Sequence, residues 1–153
     1  MEKFQLILSH PVFLEELAKI SLAEKERIFC KHSLSHSLDV CRIMQIYALE
    51  NDLSFSKDVL YACGLLHDIG RSYEDHHLHS VVIAKIILPQ CHYSSDEITQ
   101  IIDAIHAHRQ STSADALTQL LYRADKESRG CFLCKAKKDC NWPIEKQNTT
   151  FSC

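Results

Sequence analysis

Ten of the 153 residues are histidine, more than glycine and proline together, in a chain with a formal charge of −3. Imidazole at that density points to metal ligation or proton transfer, because the ring offers a nitrogen lone pair and titrates near neutral pH. His36, His67 and His79 fall on or beside the apolar stripes of three separate segments, Asp125 does so in a fourth, and Asp68 follows His67 directly. Imidazoles and carboxylates converging inside a helical bundle supply nitrogen and oxygen ligands at about 2.0–2.2 Å, the donor set of Zn, Fe(II) or Mn. A lone buried histidine is more often a hydrogen-bonded core residue, so the weight rests on the set. The segment AIHAH at 104–108 adds His106 and His108, which lie about 200° apart around a helix and compete for one place.

Cysteine makes a second constellation. Cys30, Cys41, Cys63 and Cys91 are scattered, whereas Cys131, Cys134, Cys140 and Cys153 crowd the end of the chain. CFLCKAKKDC sets Cys131, Cys134 and Cys140 in a C-x2-C-x5-C array, a candidate second metal site for Zn or an Fe–S cluster, with Cys153 as a candidate fourth ligand. Incidental thiols on a reduced tail are the bland alternative.

These residues must be positioned by helices. Three Gly and three Pro leave little room for the turns of a β-sandwich, and no segment alternates with period two. Pro11 opens one helix, and Ser21-x-x-Glu24 reads as a capping box for another turn or two. Helices follow over 33–50, with His36, Val40, Ile43 and Tyr47 in phase, and over 56–68, with Leu60, Cys63, Gly64 and His67 on one face. The next spans 77–88, with His79, Val82, Ile83 and Ile86 in phase before Pro89. Ser94-x-x-Glu97 caps another with Ile98, Ile101, Ile102 and Ile105 inward, and Ser113 caps the last, which holds Leu117, Leu120, Leu121 and Ala124. The expected architecture is all-α: one bundle of about six helices over 1–127, with a cysteine-containing extension over 128–153 that is not a domain of its own.

At 46% hydrophobic and 24% charged the chain is an ordinary globular one. Its acidic balance argues against an extended nucleic-acid surface, and the short apolar stretch Phe4–Leu8 is too brief for a signal peptide or membrane span. We therefore expect a cytoplasmic protein with reduced thiols. A homodimer is a candidate assembly, with Phe4 and Phe13 either packing inward or covering a neighbour.

The string LLHDIGR at 65–71, preceded by His36 in HSLDV and followed by Asp125 in LYRADKESR, resembles the HD-domain metal-dependent phosphohydrolases over residues 30–130. The resemblance implies His36, His67, Asp68 and Asp125 as ligands of a core metal. It further implies His79 and His108 as ligands of a second ion, and one or two divalent ions in all (Fe, Mn, Zn, Co, Ni or Mg). The set of six is similar to the small hydrolases that cleave diadenosine tetraphosphate symmetrically. It implies a nucleotide substrate whose phosphoester or phosphoanhydride bond is attacked by a hydroxide bridging the metals, with Asp68 as the shared carboxylate. Arg71 matches a position often basic in the family and is a candidate catalytic and phosphate-binding residue, with Lys126 and Arg129 as further phosphate candidates. Asp75, His76 and His77 read as the pocket's rim, His76 or His77 being a candidate for proton transfer. Two other functions fit the same residues: a nucleotide-binding metal or redox sensor without turnover, and a diiron oxygenase.

Overall fold

The computed structural model describes residues 1–110 and 112–151, and among them every regular element is helical. Seven α-helices follow in order: α1 Lys3–Leu8, α2 Pro11–Ala23, α3 Leu34–Glu50, α4 Lys57–Leu66, α5 His76–Gln90, α6 Ser95–Ala107 and α7 Ala116–Glu127. Single 3-10 turns come after them at Cys131–Leu133, Lys137–Asp139 and Ile144–Lys146. The all-α expectation holds, with α1 the helix that went unread because six residues are too few to show a period.

The bundle is built around α4. Every residue from Val59 to Leu66 except Tyr61 is buried, as an almost uniformly apolar helix must be. It packs against α3, α6 and α1, while α7 closes on α3 and α6, and α5 runs beside α6. Gly64 makes the α3–α4 crossing feasible: a Cβ there would stand 2.5 Å from Cys41 Sγ and 2.9 Å from the Cys41 backbone nitrogen. Phe4 and Phe13 both point into this core.

Caps set the helix starts. Ser94 and Glu97 form the expected reciprocal box at α6, with bonds of 2.7 and 3.3 Å. Elsewhere the caps differ from the expected ones. No helix starts at Ser21, which lies inside α2, and Glu24 is the C-cap of α2. Asp115, not Ser113, caps α7, accepting from Thr118 N at 2.7 Å, while Ser113 Oγ accepts from the Asp115 N–H and shapes the approach.

The phase of α5 also differs from expectation. Its buried face is Ser80, Ile83, Ala84, Ile87 and Leu88, while Val82 and Ile86 are 56% and 45% exposed. The helix is apolar on nearly every side, so its sequence contains two plausible stripes, and packing against α6 selects the other one. Extending the selected stripe back by one turn from Ser80 reaches His76 rather than His79. Among the described residues, no helix is long and apolar enough to cross a membrane.

Candidate metal centre

Four helix ends meet at one end of the bundle. Ser33 caps α3, its Oγ accepting from His36 N, and so sets His36 in the first turn. His67 is the C-cap of α4 and Asp68 begins the turn that follows. His108 is the C-cap of α6, and Asp125 lies in the last turn of α7. Three of the four ends are C-termini, whose free carbonyls favour a cation nearby.

The ligand atoms of His36, His67, Asp68 and Asp125 all lie within 4.8 Å of one another. His67 Nε2 stands 3.3 Å from Asp68 Oδ2 and 3.6 Å from Asp125 Oδ1, and His36 Nε2 is 3.4 Å from the same Asp125 oxygen. His108, 1% exposed, brings its Nε2 to 3.8 Å from Asp68 Oδ1. Each ring is held by its other nitrogen. His67 Nδ1–H donates to Gly64 O at 2.9 Å, and His108 Nδ1–H to Ile105 O at 2.6 Å. His36 Nδ1–H faces Ser128 Oγ at 3.3 Å, a hydroxyl that itself donates to Asp125 O. Tying Nδ1 back to an acceptor leaves Nε2 as the inward, lone-pair nitrogen, the orientation that metal-ligating histidines adopt. His36 Nε2, His67 Nε2 and Asp68 Oδ1 are buried with no hydrogen-bond partner among the described residues. Converging donors of this kind, orphaned together, fit a divalent ion.

The electrostatics ask for positive charge at the same spot. Burial disfavours a charged His67, yet the carboxylates of Asp68 and Asp125 outweigh it and push the ring up to about 10. Burial likewise opposes ionisation of the two aspartates, and is overcome at Asp68 by His67 and at Asp125 by His36, His67 and Lys126, so both sit below the usual carboxylate range. His108 goes the other way: burial and the charge of His67 hold it down to about 4 in spite of Asp68, leaving it neutral.

Two residues differ from the expected set. His79 does not join the cluster; its ring stacks flat on Tyr73, centroids 4.3 Å apart, with Nδ1 bonded to Asp75 O. The α5 phase explains this, and His76 lies on the inward stripe instead. Its Nε2 accepts from Arg71 at 3.1 Å. Burial, then Arg109 and Arg71, bring it down to about 4. Gly70 permits this approach, since a Cβ there would stand 2.5 Å from both His76 O and Ser80 N. Of the competing pair in α6, His108 enters the site while His106 is exposed beside His77.

His32 is the residue that sequence reasoning missed. Its Nδ1 pairs with Glu24 Oε1 at 2.5 Å, its backbone N–H donates to Glu24 Oε2 at 2.7 Å, and its Nε2 stands 3.7 Å from Asp68 Oδ2. Burial keeps the ring below its ordinary pKa even with Asp68 near, so a neutral His32 presents a fourth lone pair to the cluster. It precedes α3 in a loop without periodicity; the only sequence sign was its i, i+4 spacing to His36.

Above the cluster opens a hollow of about 650 Å³. Arg71 lines it, 3.7 Å from Glu24 Oε1, as does Lys126, paired with Asp125 Oδ2 at 2.6 Å. Arg129 completes the expected trio, donating to Lys126 O and Lys146 O with Nη1 buried and unpartnered among the described residues. Cys131, Cys134 and Cys140 line a separate, smaller hollow, and Cys153 lies outside the described residues.

A protein of Clostridium beijerinckii described only as uncharacterized is 43% identical over 97% of each chain. No solved structure matches the chain. Residues 33–136, which carry His36, the His67–Asp68 doublet, His108 and Asp125, match the HD domain, and the chain belongs to that family.

Proposed function

We propose that the chain is a metal-dependent phosphohydrolase acting on a nucleotide or dinucleoside polyphosphate. The observation that carries this is a four-residue His/Asp cluster beneath a hollow lined by eight Lys and Arg side chains, in a chain whose net charge is negative. A buried cation site and a cationic wall together suit a substrate with several phosphates.

His36, His67, Asp68 and Asp125 would hold the core ion. Asp68 Oδ1, faced by His108, offers a second position. When bound, metal supplies charge to the phosphoryl oxygens and lowers the pKa of water. The chain's own residues do the rest. Glu24 orients His32, Arg71 and Lys126 stand beside the cluster to receive phosphate oxygens, and Arg129 lines the same hollow. Trp142 and Tyr122 add flat apolar surface to the same hollow, which supports a nucleotide over bare phosphate.

The test is phosphate release from nucleoside mono-, di- and triphosphates and dinucleoside polyphosphates with Mn, Fe, Co, Zn or Mg added. His67→Ala and Asp68→Ala should each lower turnover by about a thousandfold, the several kcal/mol expected for lost metal-ion stabilisation, and should empty the core site. Variants that keep full activity, or a wild-type chain inert with all these metals, would refute the assignment.

A further inference from the structure

The C-terminal segment lacks the apolar burial that would hold it in place. Between Ser128 and Phe151 only Cys131 and Gln147 are buried, while Leu133, Ile144 and Phe151 are each more than three-quarters exposed. Yet Trp142, Lys146 and Asn148 from this segment line the phosphate hollow, so its position matters. Small units with so little core are commonly fastened by a metal or a disulfide. Among the described residues all cysteines are free.

A hollow of about 230 Å³ lies where the segment meets the loop between α2 and α3, and four cysteines line it: Cys131, Cys134, Cys140 and, from that loop, Cys30. We infer that these four thiols bind a single zinc ion that fastens the C-terminal segment to the body beside the His/Asp centre. The C-x2-C-x5-C array supplies three ligands, one fewer than a structural zinc requires, and Cys30 rather than Cys153 supplies the fourth. Cys131 and Cys134 open and close one 3-10 turn, with Cys134 N–H bonded to Cys131 O at 3.2 Å. Cys140 Sγ already accepts from Trp142 N at 3.4 Å, the kind of N–H···S support that thiolate ligands use. Arg27 Nε donates to Phe29 O and Cys30 O, holding the loop that carries Cys30. Lys137 also lines the hollow and offsets the excess negative charge of four thiolates on one divalent ion. Binding would release the thiol protons and draw the four sulfurs in around the ion.

The full chain, stripped of metal under reducing conditions, is titrated with Co2+, whose tetrathiolate complexes show intense sulfur-to-cobalt charge-transfer bands. The His67→Ala/Asp68→Ala double variant should keep the bands, and added Zn2+ should erase them. Cys30→Ser should lose the tetrathiolate spectrum, while Cys153→Ser should retain it. Should Cys30→Ser fold poorly, alkylation of the wild-type chain mapped by mass spectrometry serves instead: zinc must protect Cys30 together with Cys131, Cys134 and Cys140. Unchanged bands in Cys30→Ser, a Cys30 alkylated equally fast with and without zinc, acid-labile sulfide, or disulfides among these thiols in the reduced chain would each overturn the inference. None of these readouts depends on hydrolysis.

Discussion

A histidine binds metal only through a nitrogen that carries a lone pair, and the rings around Asp68 determine which nitrogen that is through the acceptor each has found for Nδ1. Glu24, Gly64 O, Ile105 O and Ser128 Oγ play this part for His32, His67, His108 and His36. At His67 the two aspartates raise the proton affinity of Nε2, so metal and proton compete for one atom. The sign follows. A ring whose folded pKa of about 10 exceeds its ordinary 6.5 stabilises the metal-free fold most below pH 6.5 and loses that contribution as pH rises through 10. The depressed Asp68 and Asp125 contribute above the ordinary carboxylate range and lose their share on acidification. Metal affinity should therefore climb about tenfold per pH unit between pH 6 and 8, as one proton is displaced. Titration with Zn2+ or Mn2+ at several pH values measures this, and a flat affinity would mean that His67 does not carry the proton. Arg71 gives a second check. Its guanidinium donates to His76 Nε2 and helps to hold that ring down to about 4, so Arg71→Ala should move His76 upward in an NMR titration of the metal-free chain. The same variant should weaken substrate binding more than Lys126→Ala, because Lys126 is already paired with Asp125.

The helices differ in how openly their sequences declare what they do. α6 shows its capping box and isoleucine stripe, and α4 is almost uniformly apolar after Asp58; both carry their C-terminal histidines into the cluster. α5 does not, since an apolar helix with two workable stripes reveals its phase only when a neighbour covers one of them, and His79 falls outside the cluster as a result. His32 and Cys30 were illegible for another reason: they sit in the α2–α3 loop, and the Glu24 carboxylate beside His32 and the hollow that Cys30 shares with Cys131 are formed only by tertiary folding. Glu24 looked like a helix-starting residue because a capping-box pattern cannot show whether the glutamate turns back to its own helix or across to a histidine. The α3–α4 crossing yields a stability prediction. Adding one methyl at Gly64 meets the Cys41 backbone as well as its sulfur, so a rotamer change cannot relieve it and the helices must part. Gly64→Ala should cost about 1–3 kcal/mol by urea unfolding, as overpacked cores do, and a neutral result would show that the helices can slide. Because Gly64 O also accepts from His67 Nδ1, metal affinity should fall with it.

Over the whole molecule, charge is segregated. The 17 Lys and Arg are outnumbered by 20 Asp and Glu, yet eight of those cations and only three carboxylates line the one hollow above the cluster. Two of the three carboxylates, Asp68 and Asp125, belong to the centre itself, so a bound cation would offset them and leave the wall strongly positive. A cleft of this kind focuses the field and draws in anions faster than diffusion alone, while the acidic remainder of the surface repels them. Steering of that sort is sensitive to salt, because the screening length shrinks from about 30 Å at 0.01 M to about 8 Å at 0.15 M. The expected outcome is that kcat/KM for a substrate with three or four phosphates falls about tenfold or more across that range, and less for a monophosphate. Rim cations should control this dependence without touching the chemistry. Lys31 and Lys146 line the hollow outside the His/Asp cluster, so Lys31→Glu and Lys146→Glu should flatten the salt response and raise KM while kcat stays nearly constant. Steady-state kinetics at four or five ionic strengths decides it. If kcat/KM is indifferent to salt, or if the two reversals leave KM unchanged, the cationic wall is not where the phosphates lie and the substrate must reach the metal centre by another face.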